Sequence, residues 1–297
     1  MKQVLNQPQG GNAKKTAPSS AIFDKRTSIG YTLDTAMTDF ATLTAIHPLS
    51  AGKFSIEVPD GWQQGRGAYG GYGLACLVRA VESVESNDER PLRNLNAELC
   101  APLLPGAAEI QVEVLRRGAG MTTVAARTIQ KDGVVAHATA LLGKVREGGA
   151  YDGLAKPNMA EEGMLLGNFG PRPAFTKFFE YRNIGPLPYT GSKVAQVDTW
   201  VRMLVPGKTF DTAHVVGLAD ATWPAMLPTL TEFQGMSTIS FTLQTFGPWN
   251  GLRTDAPIYH RARVLWARDG HAAEMREIWT PDGRLLAINH QTFATTR

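Results

Sequence analysis

Cysteine is scarce, with two residues in 297, Cys76 and Cys100. That excludes a disulfide framework and any cysteine-based metal site. Cys76 stands among Leu74, Ala75, Leu77 and Val78 and reads as a small buried hydrophobe. Long apolar runs are missing, since none approaches the ~20 residues that span a bilayer. The basic first 30 residues lack the apolar stretch of a secretory signal and read as a disordered tail. Excess charge is missing from the body. Lys2, Lys14, Lys15, Lys25 and Arg26 against Asp24 give residues 1–30 a charge of +4 of the formal +3, so the rest sums to −1. A nearly neutral body excludes a nucleic-acid binder, which needs a basic stripe to displace counterions from phosphates. Histidines 47, 137, 214, 260, 271 and 290 show no ligand-pair spacing, so no metal is expected. The absence of Gly-x-Ser-x-Gly excludes a serine α/β-hydrolase. The expectation is a cytoplasmic protein without cofactor, nucleic-acid or membrane partner, and 43% hydrophobic residues are ample for a core.

What is present is an internal repeat. Arg116 to Gly120, MTTVAARTIQ, Lys131-Asp132-Gly133 and VVAHATALLGKV are followed, 150 residues on, by Trp266 to Gly270, HAAEMREIWT, Pro281-Asp282-Gly283 and RLLAINHQTFATTR. Asp-Gly between β-like runs predicts hairpins, whose central residues both need positive φ. Upstream, LRNLNAELCA and AAEIQVEVLRRG correspond to STISFTLQTF and APIYHRARVLWARDG. Apolar residues at 74, 77, 78, 81 and 84 predict a helix over Tyr72 to Val84. Its counterpart is expected over Ala219 to Leu230, bent or broken early by Pro224 and Pro228. Each half thus reads as an early strand or two, one helix and about four antiparallel strands, an α+β unit. The expected organisation is a tail at 1–30, a first repeat at 31–146, a linker at 147–170 and a second repeat at 171–297. FTKFFEYRN (Phe175 to Asn183) is expected to open the second repeat as a strand.

Gly67-Ala68-Tyr69-Gly70-Gly71, RNLNAELCAPLLPG and RRGAGMTTVAARTIQKDG in the first half, with LADATWPAM, STISF and LAINHQ in the second, carry a family likeness. In order and spacing the chain resembles the double-hotdog acyl-CoA thioesterases, the thioesterase II (TesB-like) group, over roughly residues 40–297. The resemblance implies two helices, each wrapped by a curved antiparallel sheet, association into a homo-oligomer, and hydrolysis of an acyl thioester to free acid and CoA in lipid metabolism. It also implies catalytic residues in the second half alone: an aspartate before the second helix, a threonine in the next strand and a glutamine in the last. The matching positions are Asp220, Thr238 and Gln291. Ser237 and Ser240 flank the threonine and His290 flanks the glutamine, so neighbouring polar candidates stay open.

Those three types suit the chemistry. A carboxylate takes a proton from water, while a hydroxyl and an amide hold that water. Asp220, at the front of its helix, would have its charge eased by local amides, so desolvation is needed to keep it basic. Backbone N–H groups at Gly70-Gly71, beside Tyr69, are expected to meet the substrate and its oxyanion. Each type also has an ordinary role: a helix cap, a β-prone residue and a solvated strand residue. Gly65-Arg66-Gly67-Ala68-Tyr69-Gly70 fits G-x-G-x-x-G, but FSIEV ends at Val58 and antiparallel strands follow, which excludes a dinucleotide fold. Two alternatives stand beside hydrolysis: a non-catalytic acyl-thioester binder, and a hotdog dehydratase using His214, six residues before Asp220.

Overall fold

Strict alternation builds most of the strands. In MTTVAARTIQ the residues Thr122, Val124, Ala126, Thr128 and Gln130 are buried and the intervening ones are not, the period-two signature of a sheet covered on one face. The computed structural model describes residues 38–85, 89–131, 133–159, 162–167, 172–247, 249 and 251–296. The expected tail at 1–30 and Asp132 lie outside the described residues.

A short helix α1 (Phe40–Leu43) precedes β1 (His47–Ser50) and β2 (Lys53–Val58). The small hairpin of β3 (Gln63–Gln64) and β4 (Gly67–Ala68) leads into α2 (Gly70–Ser83). Then come β5 (Leu92–Leu99), β6 (Gly106–Arg117), β7 (Met121–Gln130) and β8 (Gly133–Gly143). The second half opens with β9 (Met164–Leu165), a 3-10 turn (Ala174–Phe178), β10 (Phe179–Asn183) and β11 (Gln196–Met203). It continues with α3 (Thr212–Asp220), β12 (Gly235–Thr245), β13 (Ile258–Arg268), β14 (His271–Trp279) and β15 (Leu285–Thr296).

Thirteen of these strands form one sheet in the order β1-β2-β6-β7-β8-β5-β12-β15-β14-β13-β11-β10-β9. The order β2-β6-β7-β8-β5 is matched by β11-β13-β14-β15-β12, so the repeat read in the sequence is a repeat of topology. Bulges preserve it where identities do not. The register slips at Leu115 and at Leu265, and again at Thr128/Ile129 and Ile278/Trp279, each pair 150 residues apart. The halves join where β5 pairs β12, from Ser240 opposite Glu98 to Gln244 opposite Asn94.

Both helices lie on the same face of this sheet and pack against one another. α2 buries Leu74, Leu77, Val78 and Val81, as its spacing predicts, and Cys76 with them. The helices run antiparallel. The start of α2 meets the end of α3 through the Gly71 N–H and Asp220 Oδ2 at 2.7 Å. The end of α2 meets the start of α3 through Thr212 Oγ1, which donates to Glu82 Oε1 at 2.7 Å, and an Arg79–Asp211 ion pair at 2.8 Å.

Several expectations are corrected. The second helix is Thr212–Asp220, ending where the sequence reading begins it. Asp211 starts it with a capping box to His214, and Pro224 prevents it from continuing. FTKFFEYRN is a 3-10 turn before it becomes a strand at Phe179. β11 is buried on both faces and does not alternate, so the sequence carries no period-two signature for it. Its outer face is covered by the segment expected as a linker, whose Met159 packs with Trp200, Tyr259 and Trp279. The turns differ too. Among the described residues the two-residue turn with both φ positive is Asp269-Gly270, whereas at Asp282-Gly283 only Gly283 is in the left-handed region. Among the described residues no helix is long and apolar enough to cross a membrane.

Candidate active site

Asp220 is the last residue of α3, not the first. A carboxylate there faces the negative end of its own helix dipole, and the amides that ease its charge come from elsewhere. They come from α2 of the other half. The Gly71 N–H, in the first turn of α2, donates to Asp220 Oδ2. This contact requires glycine. A Cβ at Gly71 would stand 2.5 Å from Tyr69 Cε2 and 3.0 Å from both Asp220 Cβ and the Gly217 carbonyl, and one at Gly70 would stand 2.9 Å from Asp220 Oδ2.

Gln291 is buried on the inner face of β15, and its Nε2 donates to Asp220 Oδ1 at 3.0 Å and to Asn289 Oδ1 at 2.9 Å. Thr238 on β12 is half-buried, and its hydroxyl donates to Gln291 Oε1 at 3.0 Å. The structure therefore brings Asp220, Gln291 and Thr238 into one hydrogen-bonded chain. A bulge sets the choice of threonine. The register of β12 slips at Ile239, so Ile239 turns outward and Thr238 faces inward beyond buried Phe241, as bulges beside active sites commonly do. Ser237 is exposed, and His290 lies on the opposite face of β15, exposed.

The buried end of α3 is held by side chains. The Ala219 carbonyl accepts from Arg276 Nη1 at 2.9 Å and from His260 Nε2 at 3.1 Å, and the Ala221 carbonyl accepts from the Tyr181 hydroxyl at 2.8 Å. Arg276 also lies 3.9 Å from Asp220 Oδ1 and pairs with Glu274, whose other oxygen accepts from the Ala225 N–H at 2.7 Å. Burial pushes the Asp220 carboxyl above the usual aspartate range, while Arg276, Gln291 and the Gly71 amide oppose that shift. Burial likewise raises Glu274. It lowers His260 to about 3, with Arg276 adding to the effect, so His260 is a neutral structural donor.

Arg276, Glu274, His260 and Asn289 were not singled out from the sequence. A signal exists for three of them. Glu274 and Arg276 occupy the same face as buried Ala272 and Ile278, and charge at inward strand positions marks a buried network. Asn289 sits two residues before Gln291, which puts both on one face.

The substrate-facing expectations divide. The Gly71 amide is engaged by Asp220, which corrects its assignment to the oxyanion. The Gly70 N–H, at the first position of α2 and half-exposed, has no hydrogen-bond partner among the described residues. Tyr69 is fully buried and stacked on Phe175, and its hydroxyl has no hydrogen-bond partner among the described residues. His214 has both ring nitrogens occupied, Nδ1 by Asp211 and Nε2 by the Pro206 carbonyl, which leaves it no role as a dehydratase base. A separate open cavity of about 460 Å³, lined in part by Lys208, Phe210, Trp249 and Arg253, lies by the start of α3, at the opposite end of that helix from Asp220.

Two family models match. Residues 58–143 match an acyl-CoA thioesterase N-terminal domain and residues 153–295 an acyl-CoA thioesterase C-terminal domain. No curated protein matches the chain. Among solved structures, a conserved protein of unknown function with hot dog fold from Alicyclobacillus acidocaldarius is 20% identical, with 88% of this chain and 99% of that chain covered and a TM-score of 0.80. A putative thioesterase II from Thermobifida fusca is also 20% identical, with 88% and 99% covered and a TM-score of 0.72. The tesB protein of Mycobacterium avium subspecies paratuberculosis is 14% identical, with 87% and 98% covered and a TM-score of 0.70. At these identities the likeness shows the fold, a double hotdog.

Proposed function

The chain belongs to the acyl-CoA thioesterase family, and from that premise we propose that Asp220, Thr238 and Gln291 form its hydrolytic centre. The observation that carries this reading is the count of donors and acceptors along the chain of the three side chains. Both Nε2 hydrogens of Gln291 are taken, by Asp220 and Asn289, and the Thr238 hydroxyl hydrogen is taken by Gln291. Only lone pairs remain, on Asp220, Thr238 Oγ1 and Gln291 Oε1. A water there donates both hydrogens to the protein and turns its own lone pair outward, which is what a nucleophile requires.

That geometry supports the following reaction. The water oxygen bonds to the thioester carbonyl carbon as Asp220 takes its proton. The oxyanion lies at the start of α2, where the Gly70 N–H, unpaired among the described residues, and the positive end of the helix dipole stabilise it. Collapse breaks the C–S bond, and the proton on Asp220 passes to the departing CoA sulfur. No covalent enzyme intermediate is involved. The acyl chain lies along the apolar helix faces. The outer sheet edges, β1 and β9, support association of copies edge to edge.

The test uses a thiol-reactive dye and acyl-CoAs of short, medium and long chain. The wild type releases CoA from at least one, and Asp220→Ala lowers kcat by about 10²- to 10⁴-fold. No release from any chain length contradicts the hydrolytic reading, and release unchanged in Asp220→Ala removes Asp220 from the site.

A further inference from the structure

We propose that Asn289 is a positioning residue that fixes which way round the Gln291 amide stands, an inference that rests on the hydrolytic reading above. A primary amide is almost symmetric in shape but not in hydrogen bonding, since turning it over exchanges a two-hydrogen donor for an acceptor. The direction is set from a group that cannot change. The Thr242 carbonyl on β12 can only accept, and Asn289 Nδ2 donates to it at 2.8 Å. Asn289 is fully buried, and its Oδ1 is thereby turned to Gln291, where it too can only accept. Gln291 Nε2 must then face Asn289 and Asp220, and its Oε1 must face Thr238.

The reversed amide would set Gln291 Oε1 against Asn289 Oδ1 and the Asp220 carboxylate, oxygen against oxygen. It would also direct Nε2 at Thr238, whose freed hydroxyl hydrogen would bind the very lone pair with which water attacks. Asp220 cannot guard against this throughout turnover, because it is protonated midway and loses its charge. Asn289 keeps one state throughout. It is the fixed reference that returns the site to its acceptor-only arrangement.

The test compares Asn289→Leu and Asn289→Asp with wild type, with kcat counted per folded molecule. Asn289→Leu removes the acceptor and is expected to lower kcat by about 10- to 100-fold, with KM unchanged, as misplacement of a catalytic group does. Asn289→Asp, with its carboxyl protonated, can donate to the Thr242 carbonyl and accept from Gln291, and is expected to restore most of the loss. A second readout is the pair of Gln291 Nε2 hydrogens in an NMR spectrum of side-chain amides, assigned by their loss in Gln291→Glu. Both are expected to be shifted and slow to exchange in wild type, with one becoming free in Asn289→Leu.

Unchanged kcat in the leucine variant, a raised KM at unchanged kcat, or an aspartate variant as slow as leucine would each overturn the proposal. So would a wild-type spectrum with only one protected hydrogen, a result that stands even if the leucine variant does not fold. The spectrum needs no activity, so failure of the hydrolytic site itself, seen as full activity in Asp220→Ala, is told apart from failure of the positioning role.

Discussion

As the proposed catalytic base Asp220 must ionise, and burial opposes it. The carboxyl is held above the usual aspartate range of 3.8 by desolvation. The groups around it are Arg276 and Glu274 from β14, His260 from β13, Tyr69 ahead of α2 and Gln291 from β15. Because the ionised form takes the proton, kcat/KM falls as pH drops through this raised value. An acid limb above pH 3.8 is therefore expected, and Arg276→Met should move it higher by removing the main opposing charge. A profile of kcat/KM against pH checks both. His260 supplies a stability counterpart. Its folded value of about 3 lies below its ordinary 6.5, so between those values the unfolded chain binds a proton that the native one does not. Its contribution is complete above pH 6.5 and lost as pH falls toward 3. Asp220 and Glu274, both raised, act in the opposite sense, so the comparison is between variants. Urea midpoints should fall more steeply from pH 7 to 4 in wild type than in His260→Gln. At Gly71 the constraint is space, with Tyr69 Cε2 2.5 Å from an added Cβ. Gly71→Ala should cost about 1–3 kcal/mol of stability together with most of the activity, measured by denaturant titration and CoA release.

Helix α3 has two ends with separate duties. Its start is fastened by the Asp211 capping box and the Arg79 ion pair, while its end presents Asp220. Asp211→Ala should therefore lower stability by about 0.5–2 kcal/mol and leave kcat per folded molecule unchanged, as urea midpoints and rates measured on the same samples would show. The element also marks where the sequence was legible and where it was not. α2, the long hairpin strands and the 150-residue register follow from periodicity, because each has one buried face. α3 is buried all round, from Thr212 to Asp220, so it has no polar face to reveal its period, and its true signal was the Asp211–His214 cap. β11 was hidden for the same reason. Thr238 is a harder case. Counting outward from Phe241 puts Ile239 inside and Thr238 outside, and only the bulge at Ile239 reverses this. Family likeness named the threonine, but no alternation rule could place it. The Gly71–Asp220 contact joins residues 149 apart in the chain, a pairing that periodicity within either half does not encode.

At the scale of the molecule, neither half contains the whole of the proposed site. The second supplies Asp220, Thr238 and Gln291, the first supplies the start of α2, and the two are joined by the β5–β12 seam and by α2 packing on α3. Unfolding is accordingly expected as one cooperative transition. Calorimetry should give equal calorimetric and van't Hoff enthalpies, and two resolved transitions would mean that the halves are independent. The central claim is that this shared site holds a water and that Asp220 takes its proton without bonding to the acyl group. Its most direct test is a single turnover with enzyme in excess over acyl-CoA in H₂¹⁸O. The account predicts ¹⁸O in the released acid from the first turnover and none in the peptide containing Asp220. Unlabelled acid from that turnover, with ¹⁸O appearing in Asp220, would contradict it.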